Sequence, residues 1–533
     1  MADVGVKGRM LTWLISFLTD RRIQVTLEDK LSGIYNIDKG VPQGSVLSPI
    51  LFIILLCTIP NVLPVMSEEF ADDLAFLITA DNLEDAELLM QDAINRFSEW
   101  CRHTRLVLQP LKTKVMCFTK KKVEDPRLFL EDNEIEVVYS HRYLGMVLDS
   151  PTLTWTNHIN SLISDCRSRL NVLRALGGTT WGARRDVMLK IYITWIRSKI
   201  LYGCQALIAA SPTNIKKLEV IQNATLRLAI GAWNSTFLPA LHCEANVVPL
   251  QILIEEQTLK HYYEVKSIGL QHPLHDQIFN DIRTRNKVWT KNIFKLPFAL
   301  KSEELLREWN MPDFQVQRVS LKPILPPWFN VKDQLHLELD MHTTKAMGVV
   351  HNNQAALHTL HTRYGDFQKL YTDGSKGEDQ TTGAAMFVEE QQLGVKWRID
   401  DCASIVSAEL YAIYRALQWI YTNLPRGNVV VLTDSLSSLH LIGNRKLKNY
   451  ASSAGAIQLL LLQFFRKNWT IHIQWIPEHS NIQGNDRVDQ LANEGRALGN
   501  INHHVEIQDM YHHLKSTARS HWQSKLIKFK HSS

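Results

Sequence analysis

The stretch NVVVLTDSLSSLHLI, residues 428–442, joins four consecutive apolar residues to a single aspartate. Val429, Val430, Val431 and Leu432 leave no polar face, which predicts a strand buried on both sides, as at the centre of a parallel sheet. Asp434 falls just past the strand's C-terminal end, where α/β sheets present functional groups. Alone this aspartate is a weak signal, so its meaning depends on what else the chain brings to that edge.

Three further stretches bring carboxylates. In QKLYTDGSKG (368–377) Asp373 ends a short apolar strand and is followed by Gly374 and Ser375, which alone reads as an ordinary turn. SIVSAELYAIYRALQWIY (404–421) predicts a helix with Leu410, Ile413, Leu417 and Ile420 on its buried stripe and Glu409 at the stripe's flank. WTIHIQWIPEHSNIQGNDRVDQLANEGR (469–496) reads as an alternating strand, a loop carrying His479, and a helix in which Asp489 lies beside Val488, Leu491 and Ala492. Each acid alone is a weak signal. Four that converge need a cation, because neighbouring negative charges otherwise raise one another's proton affinity. Hard oxygen donors with no cysteine among them favour Mg2+ or Mn2+ over zinc. A pair of such ions suits in-line phosphodiester hydrolysis.

The ordered set YTDGS, SAELYAIYRAL, VVVLTDS and HSNIQGNDRVDQLA resembles the type-1 ribonuclease H domain, which cuts the RNA strand of RNA–DNA hybrids. The resemblance covers residues 366–500 and implies a mixed β-sheet flanked by helices. It implies Asp373, Glu409, Asp434 and Asp489 as ligands of two Mg2+ ions, with Mn2+ as a substitute. His479 is then the loop histidine that assists water activation or product release, and Asn485 supports the site and contacts the nucleic acid. Contacts to the RNA 2′-hydroxyl fall to backbone near Gly374 and Ser375. Arg445, Lys446 and Lys448 form either a phosphate-binding patch or a solvated loop.

Towards the N-terminus, GVPQGSVLSPILF (40–52) with Gln43 and Gly44, FADD with Asp72 and Asp73, and LVLQPLKTKVMCF with Lys112 resemble three palm motifs of non-LTR retrotransposon reverse transcriptases. HRYLGMVLDSPTLTWTNHI resembles a fourth, in the family's order. Gln109 departs from the asparagine usual there. Polymerase chemistry in that family needs a third carboxylate from a motif upstream of a segment like DVGVKGRMLTWLISFLTDRR. No early acid of this chain matches that motif. Asp72 and Asp73 therefore read as a vestigial site, and the expectation is no DNA synthesis by this chain alone.

The fold class that follows is multidomain α/β. A partial palm (α+β) occupies 1–150, a helical thumb-like region 151–240, a connection or linker 241–365, the ribonuclease H domain 366–500 and a peripheral basic tail 501–533. KPILPPWFNVKDQ (322–334) has the proline density of a linker. LVLQPLKTKVMCFTKKK reads as a hairpin whose lysines either track phosphate or guard a solvated edge. Trp181, Trp195 and Trp233 read as core.

The 533 residues carry a net charge of +5, which permits nucleic-acid binding without arguing for it. Seven dispersed cysteines with no C-x-x-C suggest reduced thiols, and the histidine pair His358 and His361 lacks partners at zinc-ligand spacing. No signal-peptide pattern opens the chain, and the apolar run at 46–60 is too short to span a bilayer, so it reads as a buried helix. These features point to an intracellular protein, nuclear or cytoplasmic, whose partner is an RNA–DNA hybrid. The rival reading is a catalytically dead nucleic-acid-binding remnant.

Overall fold

The structure is a computed structural model. It describes residues 5–37, 39–59, 62–119, 121–178, 181–276, 278, 298–312, 314–319, 325–341, 343, 348–447 and 450–530. The chain divides into two compact units, Met1–Asn160 and Ser161–Ser533.

The first unit is α+β. Among its described residues the strands pair only in twos, such as Met66–Phe70 with Asp73–Leu77. Its longest helix, Leu83–Thr104, starts where the Asn82 side chain accepts from Asp85 N. That helix buries Ala93, Ile94, Phe97 and Cys101 at helical spacing. The expected hairpin after residue 105 does not form. Pro110 starts a single 3-10 turn, Pro110–Lys112, and the short strand Lys114–Val115 pairs in parallel with Glu136–Val137. The apolar run at 46–60 is a helix, Ser48–Leu56, that buries Leu51 and Leu56 but leaves Ile50 and Ile53 exposed. Among the described residues no helix is long and apolar enough to cross a membrane.

The second unit opens with helices and ends on a seven-stranded sheet. Its strands are β1 (Leu335–His336), β2 (Gln368–Lys376), β3 (Thr382–Val388), β4 (Leu393–Ile399), β5 (Asn428–Thr433), β6 (Thr470–Trp475) and β7 (Ile501–Asn502), in the spatial order β1-β6-β5-β2-β3-β4-β7. β2, β3 and β4 form an antiparallel meander, while β2, β5, β6 and β1 run parallel. β5 lies third from one edge with Val429–Leu432 fully buried, as the unbroken apolar run requires.

Helices α1 (Leu250–Ile268), α2 (Phe298–Glu308), α3 (Val349–Tyr364), α4 (Ile405–Asn423), α5 (Leu436–Ile442), α6 (Ala451–Arg466), α7 (Gln483–Gly495) and α8 (Ile507–Lys530) complete the frame used below. A side chain at Gly374 would run into α4, while the hydroxyl of its neighbour Ser375 donates to Asn493 on α7. Successive residues of a strand point to opposite faces, so α4 and α7 cover opposite sides of the sheet.

Two expected boundaries fail for the same reason: apolar residues between polar ones were enough to build core. The proline-rich segment is no linker, because Leu325, Phe329 and Val331 enter the core of the sheet and β1 then pairs with β6. Nor is 501–533 a peripheral tail. β7 pairs with β4, and α8 buries Met510, Leu514, Ala518 and Trp522, spaced by four, against α1 and α2. Lys515 and Arg519 lie exposed on α8, while its apolar stripe supplies the packing. In the helical region Trp181, Trp195 and Trp233 are not core. Trp181 is 67% and Trp233 83% exposed, and Trp195 lies under the Arg169 guanidinium.

Candidate active site

The sheet register builds the site. Thr372 on β2 pairs in parallel with Thr433 on β5. The next residues along the two strands, Asp373 and Asp434, therefore emerge side by side. Glu409 reaches them from the second turn of α4. It does so because α4 approaches β2 at Gly374, where an added Cβ would lie 2.6 Å from Glu409 N and 2.7 Å from Ala408 Cβ. Ser404 caps α4 by accepting from Ser407 N, which fixes where the helix starts and hence where Glu409 falls.

Asp373, Glu409 and Asp434 offer carboxylate oxygens that all lie within 4.8 Å of one another. Glu409 is 6% exposed, and its Oε2 is buried with no hydrogen-bond partner. Burial raises the proton affinity of all three carboxyls above the ordinary range, and neighbouring negative charges add to it at each. An orphaned buried oxygen among converging acids is an unstable arrangement without a cation, and the donor set is all oxygen. These residues fit a hard divalent metal.

Asp489 stands at the rim, exposed on α7, close enough for its charge to act on Asp373. Two amides hold the acids in place. Asn485 Nδ2 donates to Asp434 Oδ2 at 3.2 Å. Asn493, which the sequence reading missed, donates to Asp489 Oδ1 at 3.0 Å and accepts from Ser375 Oγ at 2.6 Å. Its one legible signal was the four-residue spacing from Asp489 along a helix. Trp475 Nε1 donates to the Asp434 carbonyl at 3.0 Å, fixing the backbone from the other side.

The loop between β6 and α7 carries His479, exposed and with φ 49°. Its neighbour Glu478 is near enough to Asp434 to act on it electrostatically. Gly374 is buried against α4 and Ser375 is half-buried against α7. Arg445 donates to the Pro326 carbonyl at 3.0 Å, Lys446 is exposed, and Lys448 lies outside the described residues.

In the first unit Asp72 and Asp73 are exposed at the turn of their hairpin. Gln43 and Gly44 are exposed, Gly44 with φ 85°, and Lys112 ends the 3-10 turn. Among the described residues Asp373, Glu409 and Asp434 are the one group of three metal-ligating side chains at this spacing, and Asp72 and Asp73 gather none.

A carboxylate cluster at the ends of adjacent parallel strands, with a helix glutamate across a glycine, defines this part of the chain as an RNase H domain. Residues 367–497 match the family model described as RNase H, and residues 2–148 match that described as reverse transcriptase (RNA-dependent DNA polymerase). The chain thus carries an RNase H segment and a reverse transcriptase segment, and its relatives are named as RNA-directed DNA polymerases of mobile elements. It is 32% identical over 230 residues to the probable RNA-directed DNA polymerase from transposon X-element of Drosophila melanogaster, a match spanning 41% of this chain and 24% of that protein. To the RNA-directed DNA polymerase from mobile element jockey of Drosophila funebris it is 27% identical over 260 residues, 47% of this chain and 28% of the relative. The matches thus span about a quarter of the curated relatives' length. Among solved structures, the N-terminal RNase H domain of Rv2228c from Mycobacterium tuberculosis, fused to maltose-binding protein, is similar at 20% identity with a TM-score of 0.20. That match covers 24% of this chain and 94% of that one.

Proposed function

We propose that the second unit hydrolyses the RNA strand of RNA–DNA hybrids endonucleolytically, with Mg2+ as cofactor and Mn2+ as a substitute. The observation that carries this reading is the triad of carboxylates within 4.8 Å, one oxygen of which is buried and unpartnered. Asp373, Glu409, Asp434 and Asp489 would hold the ions. When bound, such ions supply an activated water and neutralise charge on the leaving 3′ oxygen.

The chain's own residues do the rest. Asn485 and Asn493 keep Asp434 and Asp489 oriented without adding charge. His479, exposed at the rim, handles the proton of the water or of the leaving group. The backbone at Gly374 and Ser375 borders the site and reads the 2′-hydroxyl. Lys446 offers a phosphate contact, and Arg445 gives its guanidinium to the Pro326 carbonyl as well as its charge to the surface. Asp72 and Asp73, gathering no third ligand among the described residues, do not support primer extension by this chain alone.

The test compares cleavage of a labelled hybrid by wild type and Asp434→Asn in Mg2+ or Mn2+. The variant is expected to lose activity by several orders of magnitude. Equal rates, or binding of hybrid without cleavage by either protein, would replace this reading with that of a binding remnant. Primer extension on an RNA template above an Asp72→Ala control would overturn the statement about the polymerase region.

A further inference from the structure

Helix α3 lies upstream of the matched segment 367–497, yet it packs as part of the same domain. Ala356, Leu360 and Tyr364 are buried in the core of the sheet. Tyr364 Oη donates to Gln474 Oε1 at 3.0 Å, and Gln474 Nε2 donates to the His336 carbonyl of β1 at 3.2 Å. The residues before β2 thus grip β6 near its C-terminal end, directly below the loop that carries His479.

The other end of α3 reaches that loop itself. Asn353 Nδ2 donates to the carbonyl of Ser480 at 2.6 Å and to that of Asn481 at 3.1 Å. Two of the three residues 479–481 are left-handed, His479 at φ 49° and Asn481 at φ 53°. Non-glycine residues pay for that region in steric energy and stay there only when their surroundings insist. Ser480 between them is buried, so its carbonyl would lose its partner if the amide were removed. The side-chain amide suits the task because it carries two donor hydrogens on one nitrogen.

We propose that Asn353 is a positioning residue for His479: a latch, supplied from outside the matched RNase H segment, that holds the loop in the conformation presenting the histidine at the rim of the carboxylate site. It touches no substrate and acts only through the loop. The proposal rests on the reading of the site as a nuclease, and the latch has a readout of its own.

The experiment uses the full chain and two substitutions. Asn353→Ala removes the donors and Asn353→Asp keeps the shape while removing them, so a folding failure of one leaves the other. Hydrogen exchange is followed at the amides of residues 478–482, and kcat and KM are measured on a labelled hybrid in Mg2+. Both variants are expected to raise exchange in the loop on the order of tenfold, with β5 still protected, and to lower kcat by about tenfold at constant KM. In a His479→Ala background the same substitutions are expected to change kcat by less than about twofold, because the latch has nothing left to position. Unchanged loop exchange overturns the latch. A full loss of rate in the His479→Ala background overturns its action through the histidine. A wild type that does not cleave at all refutes the nuclease reading, and loop exchange alone then decides whether Asn353 holds the loop.

Discussion

Replacing Gly374 with alanine probes how the site is assembled rather than what it is made of. The methyl group would lie 2.6 Å from Glu409 N, 2.7 Å from Ala408 Cβ and 2.8 Å from the Ala408 carbonyl carbon. Carbon atoms in contact ordinarily sit about 3.5–4.0 Å apart, so β2 and α4 must separate by roughly 1 Å. Two of the obstructing atoms are helix backbone, and Ala408 Cβ has no rotamer to yield. The whole second turn of α4 has to move, taking Glu409 with it and away from Asp373. Over-packing of this kind costs ~1–3 kcal/mol of stability, and a ~1 Å misplacement of reacting groups costs ~100-fold in rate. Gly374→Ala is therefore expected to remain folded in a urea titration, with its midpoint lowered, while hybrid cleavage falls by about two orders of magnitude. A variant that cleaves within threefold of wild type would refute the claim that close approach at this glycine sets the position of Glu409.

Adding Mg2+ should raise the thermal midpoint of the second unit, because binding to the folded state adds stability by mass action, and Asp434→Asn should abolish most of that rise. EDTA should reverse both the shift and the cleavage; a midpoint indifferent to Mg2+ would argue against a metal site. Burial holds His472 and His504 down to about 4. Above pH 6.5 neither the folded nor the unfolded chain carries those protons, whereas between 6.5 and 4 the unfolded chain takes them up first and stability is lost. His472 faces His336, Arg363 and Glu338, so His472→Phe removes one such site within a charged cluster. The variant is expected to gain ~1–3 kcal/mol relative to wild type as pH falls from 7 to 4.5, measured by urea melts at matched pH. The buried acids titrate in the opposite sense, which is why the comparison is between paired proteins. Tyr364→Phe leaves Gln474 Oε1 without its buried partner and should cost ~1–3 kcal/mol; a loss under ~0.5 kcal/mol would mean water replaces the hydroxyl.

The RNase H segment was legible because its signals are local. Val429–Leu432 has no polar face and could only be an inner strand, and Asp434 follows it within two residues. Glu409 was legible as the flank of an apolar stripe, though not the glycine that lets it reach Asp373, since that depends on how a strand meets a helix far away in sequence. Asn493 and Asn353 were illegible for the same reason: an amide at hydrogen-bond distance from a carboxylate or a carbonyl leaves no periodicity behind. β1 is two residues long, too short for any alternation, and only its pairing with β6 identifies it. In α8, charge dominated the composition while four residues spaced by four carried the packing. The exposed Trp181 and Trp233 fail in the other direction: both sit in segments between helices, and apolar bulk alone does not say whether a residue is covered.

The two short strands at the ends of the sheet bear on how this domain can be exchanged. β1 shields the outer side of β6 at Ile473 and Gln474, and β7 shields β4 at Arg398 and Ile399. Both shields, and the helices that anchor them, lie outside residues 367–497. A cut at those limits would leave two unprotected ladders, each free to recruit another chain. The sheet is thus no interchangeable cassette: recombination that moves it intact has to carry residues from 325 through the first turns of α8.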